Sequence, residues 1–167
     1  MIEYIYKDMM GAVRFLPWGL MIGIPAGVFM SIILNRGKRK GVGRAFYFPI
    51  ILFTIYIALI GCITYLSRES GSRIGFDLQL FSTWGINDRN NAYVVENVLL
   101  FIPFGFLCCW AFPRVRKFSR CTFAGALTSL TVESLQLATG RGYFQIDDIL
   151  TNTVGTMIGY FLFRFLA

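Results

Sequence analysis

Three acids, one arginine and three amides fall in the C-terminal half of the chain: Glu133, Asp147, Asp148, Arg141, Asn97, Gln136 and Asn152. Carboxylates can serve as general acid and general base. Two adjacent aspartates can hold Mg²⁺ or Ca²⁺ through oxygen ligands. An arginine matches a phosphate or carboxylate, and side-chain amides orient acids by hydrogen bonding. The chain contains no histidine. That excludes Ser-His-Asp and Cys-His catalysis and every metal site built on imidazole. No activated nucleophile is visible, no metal site is assigned, and no cofactor is named. Cys62, Cys108, Cys109 and Cys121 show no C-x-x-C spacing and sit in or beside apolar runs, so they read as small apolar residues.

These residues need elements to position them, and composition says which. Of 167 residues, 56% are apolar, 17% aromatic and only 15% charged, against a globular norm of about 25% charged. Disorder is excluded, since it requires few aromatics and many charges. A soluble globule could not cover this much apolar surface. Five stretches, Phe15 to Leu34, Phe46 to Leu66, Tyr93 to Phe112, Cys121 to Thr139 and Ile149 to Leu166, are 18 to 21 residues long. A hydrocarbon core of about 30 Å needs about 20 helical residues. The expectation is an all-α polytopic bundle of five transmembrane helices forming one membrane domain over residues 1–167. Ile2, Ile5, Met9 and Val13 fall near one helical face ahead of the first span, which suits an interfacial helix or a frayed terminus.

Basic residues orient the chain. Ten of them, including Arg36, Lys38, Arg39, Lys40, Arg114, Arg116 and Lys117, fall on one side, and six fall on the other in longer segments mixed with acids. The N-terminus is therefore expected outside and the C-terminus inside. The net charge of +7 reads as a topology signal and as contact with anionic lipid headgroups. Nucleic acid is not an expected partner.

With that topology Glu96, Asn97, Glu133, Gln136, Arg141, Asp147, Asp148 and Asn152 approach one depth near the outer face. Gly125, Ser129, Glu133 and Gln136 are spaced by 4, 4 and 3 residues and share one helical face. Asp148, Asn152, Gly155 and Gly159 share another, and Gly155 and Gly159 form a G-x-x-x-G that admits close backbone approach. The simplest packing sets these stripes against each other near Asn97. A carboxylate within a span costs about 2.5–3.5 kcal/mol at the helix centre on insertion scales, so Glu133 marks either a polar clamp between helices or a ligand site. Ile74, Phe76, Leu78 and Leu80 alternate in the 67–91 loop, which reads as a short strand or an interfacial segment, and as a lid over the polar zone.

The run Asn97-Val-Leu-Leu-Phe-Ile-Pro103-Phe-Gly105-Phe resembles the third-helix motif of the VanZ-like membrane proteins. Ser129-Leu-Thr-Val-Glu133-Ser-Leu-Gln136 is similar to that family's S-x-x-x-E-x-x-Q pattern. Arg141 followed by Ile146-Asp147-Asp148-Ile149-Leu-Thr-Asn152-Thr-Val-Gly155 resembles its R…D-D…N-T-x-G signature. The likeness covers about residues 93–160. The family's upstream N-L-x-P-F is echoed only as Asp77-Leu-Gln-Leu-Phe81, with Asp for Asn and Leu for Pro.

The resemblance implies a multi-pass protein of the bacterial cytoplasmic membrane, at work in the cell envelope. The founding member is associated with low-level resistance to teicoplanin, a lipid-tailed glycopeptide, without remodelling of the peptidoglycan precursor. Three functions stay open. One is a site in the outer leaflet for an amphiphile: a lipid-linked wall precursor, a membrane glycolipid or the acylated antibiotic. Asn97, Glu133, Gln136, Arg141, Asp147, Asp148 and Asn152 are then the ligand-binding candidates. The second is an intramembrane hydrolase or transferase acting on a lipid headgroup through those carboxylates. The third is a non-catalytic subunit of an envelope complex, or a homo-oligomer, packed through Gly125, Gly155 and Gly159.

Overall fold

A computed structural model describes residues 1–36, 44–66, 71 and 73–167. Lys38, Arg39, Lys40 and Arg68 of the charge comparison lie outside the described residues. The described residues form six α-helices: α1 (Ile2–Val13), α2 (Leu16–Asn35), α3 (Arg44–Gly61), α4 (Asp88–Ala111), α5 (Phe118–Ala138) and α6 (Ile146–Leu166). A π-helical turn, Cys62–Leu66, extends α3, and a 3₁₀ turn, Pro113–Val115, follows α4.

Among the described residues four segments are long and apolar enough to cross a membrane: Leu16–Asn35, Tyr47–Leu66, Asp88–Ala111 and Ile146–Leu166. They match four of the five expected spans. The third and fifth begin earlier than expected. Asn87 caps α4 by accepting the Asn90 N–H at 2.8 Å, so polar residues 88–92 are helical. The strand before α6 feeds straight into it, so Asp147 and Asp148 lie in its first turn rather than in a loop, where negative charge suits the helix N-terminus. The remaining expected span, α5, is a helix of 21 residues. It falls short of the other four in apolarity because Ser129, Glu133 and Gln136 are buried polar positions within it.

Small residues set the packing. Gly19, Gly23, Gly27 and Ser31 form a buried stripe on α2 at a spacing of four. A Cβ on Gly23 would collide with the Ile55 backbone of α3, and Thr54 Oγ1 donates to the Gly23 carbonyl at 2.8 Å across the same seam. Between α4 and α6 the approach is equally close. A Cβ on Gly155 would strike the Val98 carbonyl, one on Gly159 the Ile102 carbonyl, and one on Gly105 the Thr156 carbonyl. With little hydrophobic drive between helices in lipid, close van der Waals contact of this kind associates them. Ile60, Phe101, Phe104 and Cys108 form the core between α3 and α4, with Ala124 and Val132 of α5 against it. All four cysteines are buried free thiols.

The fold is not purely helical. β1 (Arg73–Asp77) pairs in parallel with β2 (Arg141–Gln145), in the register Arg73 with Arg141 through Asp77 with Gln145. The alternation at residues 74–80 foreshadows β1 only, since Arg141–Gln145 carries no comparable pattern. Gly75 is required by the pairing, because the Tyr143 ring lies 2.7 Å from where a Cβ would stand. The N-terminal segment is a helix with no buried residue, tied to α4 by an Asp8–Arg89 ion pair at 2.8 Å.

Candidate functional site

One face of α5 gathers the polar stripe. Gly125, Ser129, Glu133 and Gln136 are all buried, as their spacing implies. Between them they meet α6, the end of β2 and the π-helical turn. Gly125 is overlain by Thr156 of α6. Ser129 Oγ accepts from Asn152 Nδ2 of α6 at 2.8 Å. Glu133, 2% exposed, accepts the backbone N–H of Gln145 at Oε2, 3.0 Å away, at the end of β2. Gln136 Nε2 donates to the Thr64 carbonyl in the π-helical turn at 3.1 Å.

The β2–α6 junction supplies the rest. Arg141 Nη1 donates to the Tyr65 carbonyl at 2.8 Å, and the guanidinium lies 4.3 Å from the centre of the Tyr65 ring, a cation–π geometry. Asp147 is 6% exposed. It accepts the Phe81 N–H at 2.7 Å and the Thr83 N–H at 3.0 Å. Those bonds hold Phe81 at φ 63°, a left-handed conformation uncommon for a bulky residue. Asp148 is half-buried and lies about 100° around the helix from Asp147, so the two carboxylates do not converge.

The departure at position 77 has a structural account. Asp77 accepts the Gln79 N–H at 3.2 Å and the Ser82 hydroxyl at 2.8 Å. A carboxylate thus closes the turn in the manner of an Asx residue. The loop after it exposes Leu78, Leu80, Phe81, Trp84 and Ile86.

Not all the expected residues meet. Glu96 is half-buried on the α4 side that meets α1, near Asp8, away from Glu133 and Gln136. Asn97 is half-buried on α4, one residue before the Val98 carbonyl that Gly155 approaches. The α6 stripe also divides. Asn152 and Thr156 turn toward α5, whereas Gly155 and Gly159 turn toward α4. The G-x-x-x-G therefore packs α6 on α4, not on α5 as the simplest packing has it. Thr64, Tyr65, Phe81 and Thr83 enter chiefly through main-chain atoms, which carry no residue signature in the sequence.

Chemically, Asp147 is committed to backbone donors, so it anchors a loop. Gln136 Oε1 and Asn152 Oδ1 are among the buried acceptors with no hydrogen-bond donor among the described residues; Ser31 Oγ, Asn35 Oδ1, Glu96 Oε1 and Thr122 Oγ1 are others, away from Glu133. Gln136 belongs to the α5 stripe that contains Glu133, and Asn152 faces that stripe from α6 through its bond to Ser129.

Comparison with known proteins gives this arrangement a family. A family model described as VanZ/LLP1 matches residues 50–167. The match starts within α3 and takes in both strands, α4, α5 and α6. Protein VanZ of Enterococcus faecium is 30% identical over 114 residues, which is 68% of this chain and 64% of that protein. The chain thus spans less than two thirds of that relative's length. No solved structure matches. With the S-x-x-x-E-x-x-Q stripe, the Arg141 and Asp147 anchors and the Asn152 contact all inside the matched region, this multi-pass membrane protein belongs to the VanZ/LLP1 family.

Proposed function

We propose that the protein spans the bacterial cytoplasmic membrane five times, N-terminus outside and C-terminus inside, and binds an amphiphile at the polar end of the bundle in the outer leaflet. The ligand is a lipid-linked wall precursor, a membrane glycolipid or a lipid-tailed glycopeptide, and the cellular consequence is protection against teicoplanin. Support for α5 as a fifth span comes from its hydroxyls. Thr128, Thr131 and Ser134 donate to the Ala124, Leu127 and Leu130 carbonyls at 2.7–2.8 Å, so lipid meets few unpaired donors. Its outward residues Phe123, Leu127, Leu130 and Leu135 are apolar and exposed.

The observation that carries the ligand reading is that two buried amide oxygens with no donor among the described residues, Gln136 Oε1 and Asn152 Oδ1, flank Glu133 on one seam. A buried polar atom without a partner costs free energy that a ligand donor recovers. Arg141 then meets an anionic group at the edge of the site.

A structural clamp is the competing reading. It is favoured by the bonds that Glu133, Asp147 and Asn152 each make to a different element. The test is drug susceptibility in a sensitive Gram-positive host, with wild type and Glu133→Gln at matched membrane levels, teicoplanin beside vancomycin. Protection against teicoplanin alone, lost in the variant while membrane levels hold, is the expected result. Loss of Glu133→Gln from the membrane favours the clamp. No protection by wild type removes resistance from the reading.

A further inference from the structure

Beside the polar stripe lies a cavity of about 400 Å³ between α2, the end of α3 with its π-helical turn, and α5. That volume falls in the range of small-molecule sites, about 300–1,000 Å³. Its lining is apolar, including Ile22, Gly61, Tyr65 and Val132, apart from Thr64 and Gln136. Thr64 is already satisfied, its hydroxyl donating to the Ile60 carbonyl at 2.8 Å. Gln136 is not: at 2% exposure it spends its amide N–H on Thr64, and Oε1 has no donor among the described residues. The rim residues Ile22, Leu66 and Leu135 are each about half exposed, so the cavity opens sideways between helices.

We infer that this cavity is the tail site of the ligand. It takes one acyl chain of an amphiphile whose hydroxyl or amide N–H, close to the chain, donates to Gln136 Oε1. The inference rests on the amphiphile reading above and specifies the ligand class. Three features select that class. The apolar walls accept hydrocarbon. The single orphan acceptor asks for one donor, and a water there would find too few polar partners. Arg141, stacked on Tyr65, puts a cation next to the cavity at the turn that Gln136 also contacts, where the polar head of an amphiphile would emerge.

The test uses the full chain in lipid nanodiscs with two photoactivatable probes that carry the same diazirine fatty chain. One is an N-acyl ethanolamide, and the other is the corresponding methyl ester, which has no donor. Two variants are compared with wild type. Gly61→Phe adds a ring at the cavity wall to obstruct it, at a position where nothing lies within 4 Å of the added Cβ. Gln136→Leu removes the acceptor while keeping the volume. Saturable labelling by the amide, mapped to peptides containing Tyr65 or Val132 and abolished in Gly61→Phe, is expected. Gln136→Leu should weaken amide labelling about five- to tenfold, the worth of one buried hydrogen bond, and leave ester labelling unchanged.

Equal labelling of wild type and Gly61→Phe overturns the tail site. Equal response of amide and ester to Gln136→Leu overturns the donor. A dimer by light scattering that dissociates in Gly61→Phe assigns the cavity to a second copy and likewise overturns the proposal. Specific labelling without protection from teicoplanin keeps the tail site and removes only the resistance role. Protection without labelling does the reverse.

Discussion

At position 147 a carboxylate accepts two backbone N–H groups from a loop 64 to 66 residues upstream. Hydrogen bonds to a charged group are worth about 1.5–3 kcal/mol each, and the acceptor here is buried. Asp147→Ala should therefore lower the thermal midpoint in detergent, by a destabilisation of about 3 kcal/mol, and expose the loop to chymotrypsin at Phe81 and Trp84. A scan with an unchanged midpoint and an unchanged digestion pattern would refute the anchor. The identity of the acid was readable from the D-D motif; its employment was not. The donors are main-chain atoms of Phe81 and Thr83, and any residue but proline supplies such a group. Glu133 is similar. Its burial followed from the spacing on α5, while its Gln145 partner depended on where β2 ended.

Helices and strands show the same division. The spacing of Gly125, Ser129, Glu133 and Gln136 marked one face of α5, and that face is buried. The equally regular Gly19, Gly23, Gly27 and Ser31 stripe holds no chemistry-bearing residue, yet it builds the α2–α3 seam. Two substitutions separate packing glycines from idle ones. Gly23→Leu should prevent α2 from seating on α3 and abolish a cooperative melt. Gly11→Ala, in an exposed helix with no neighbour within 4 Å, should stabilise by about 0.5–1 kcal/mol. Equal midpoints for the two variants in differential scanning fluorimetry would count against the seam. The two-stranded sheet was half visible. β1 alternates, but β2 becomes a strand by pairing with it, and parallel pairing between segments this distant leaves no local trace.

For the molecule as a whole, the number of crossings has a parity. If α5 crosses together with the four more apolar helices, the two termini face opposite sides of the membrane. If α5 does not cross, they face the same side. The buried native thiols make single added cysteines informative. A membrane-impermeant maleimide applied to intact cells should label Trp84→Cys, and should label Arg114→Cys only after permeabilisation. An alkaline phosphatase fused after Ala167 should be inactive. An active fusion would remove α5 from the set of spans and reverse the orientation of α6.

The amino-acid sequence by itself determined that the chain is a multi-pass helical membrane protein, placed five apolar stretches of which four match the helices apolar enough to cross, and pointed to its family. Those properties are summed along the chain: hydropathy over about 20 residues, a repeat of three to four, and motif spacing. Tertiary structure alone decided which helix meets which. It placed Gly155 and Gly159 on α4, Asn152 on α5 and Glu96 toward α1, and it turned two neighbouring aspartates to different sides of α6. It also made the cavity beside Gln136, because a void is the space that several helices fail to fill. Helical periodicity states which side chains share a face. Only packing, governed by how closely small residues let backbones approach, states what that face meets.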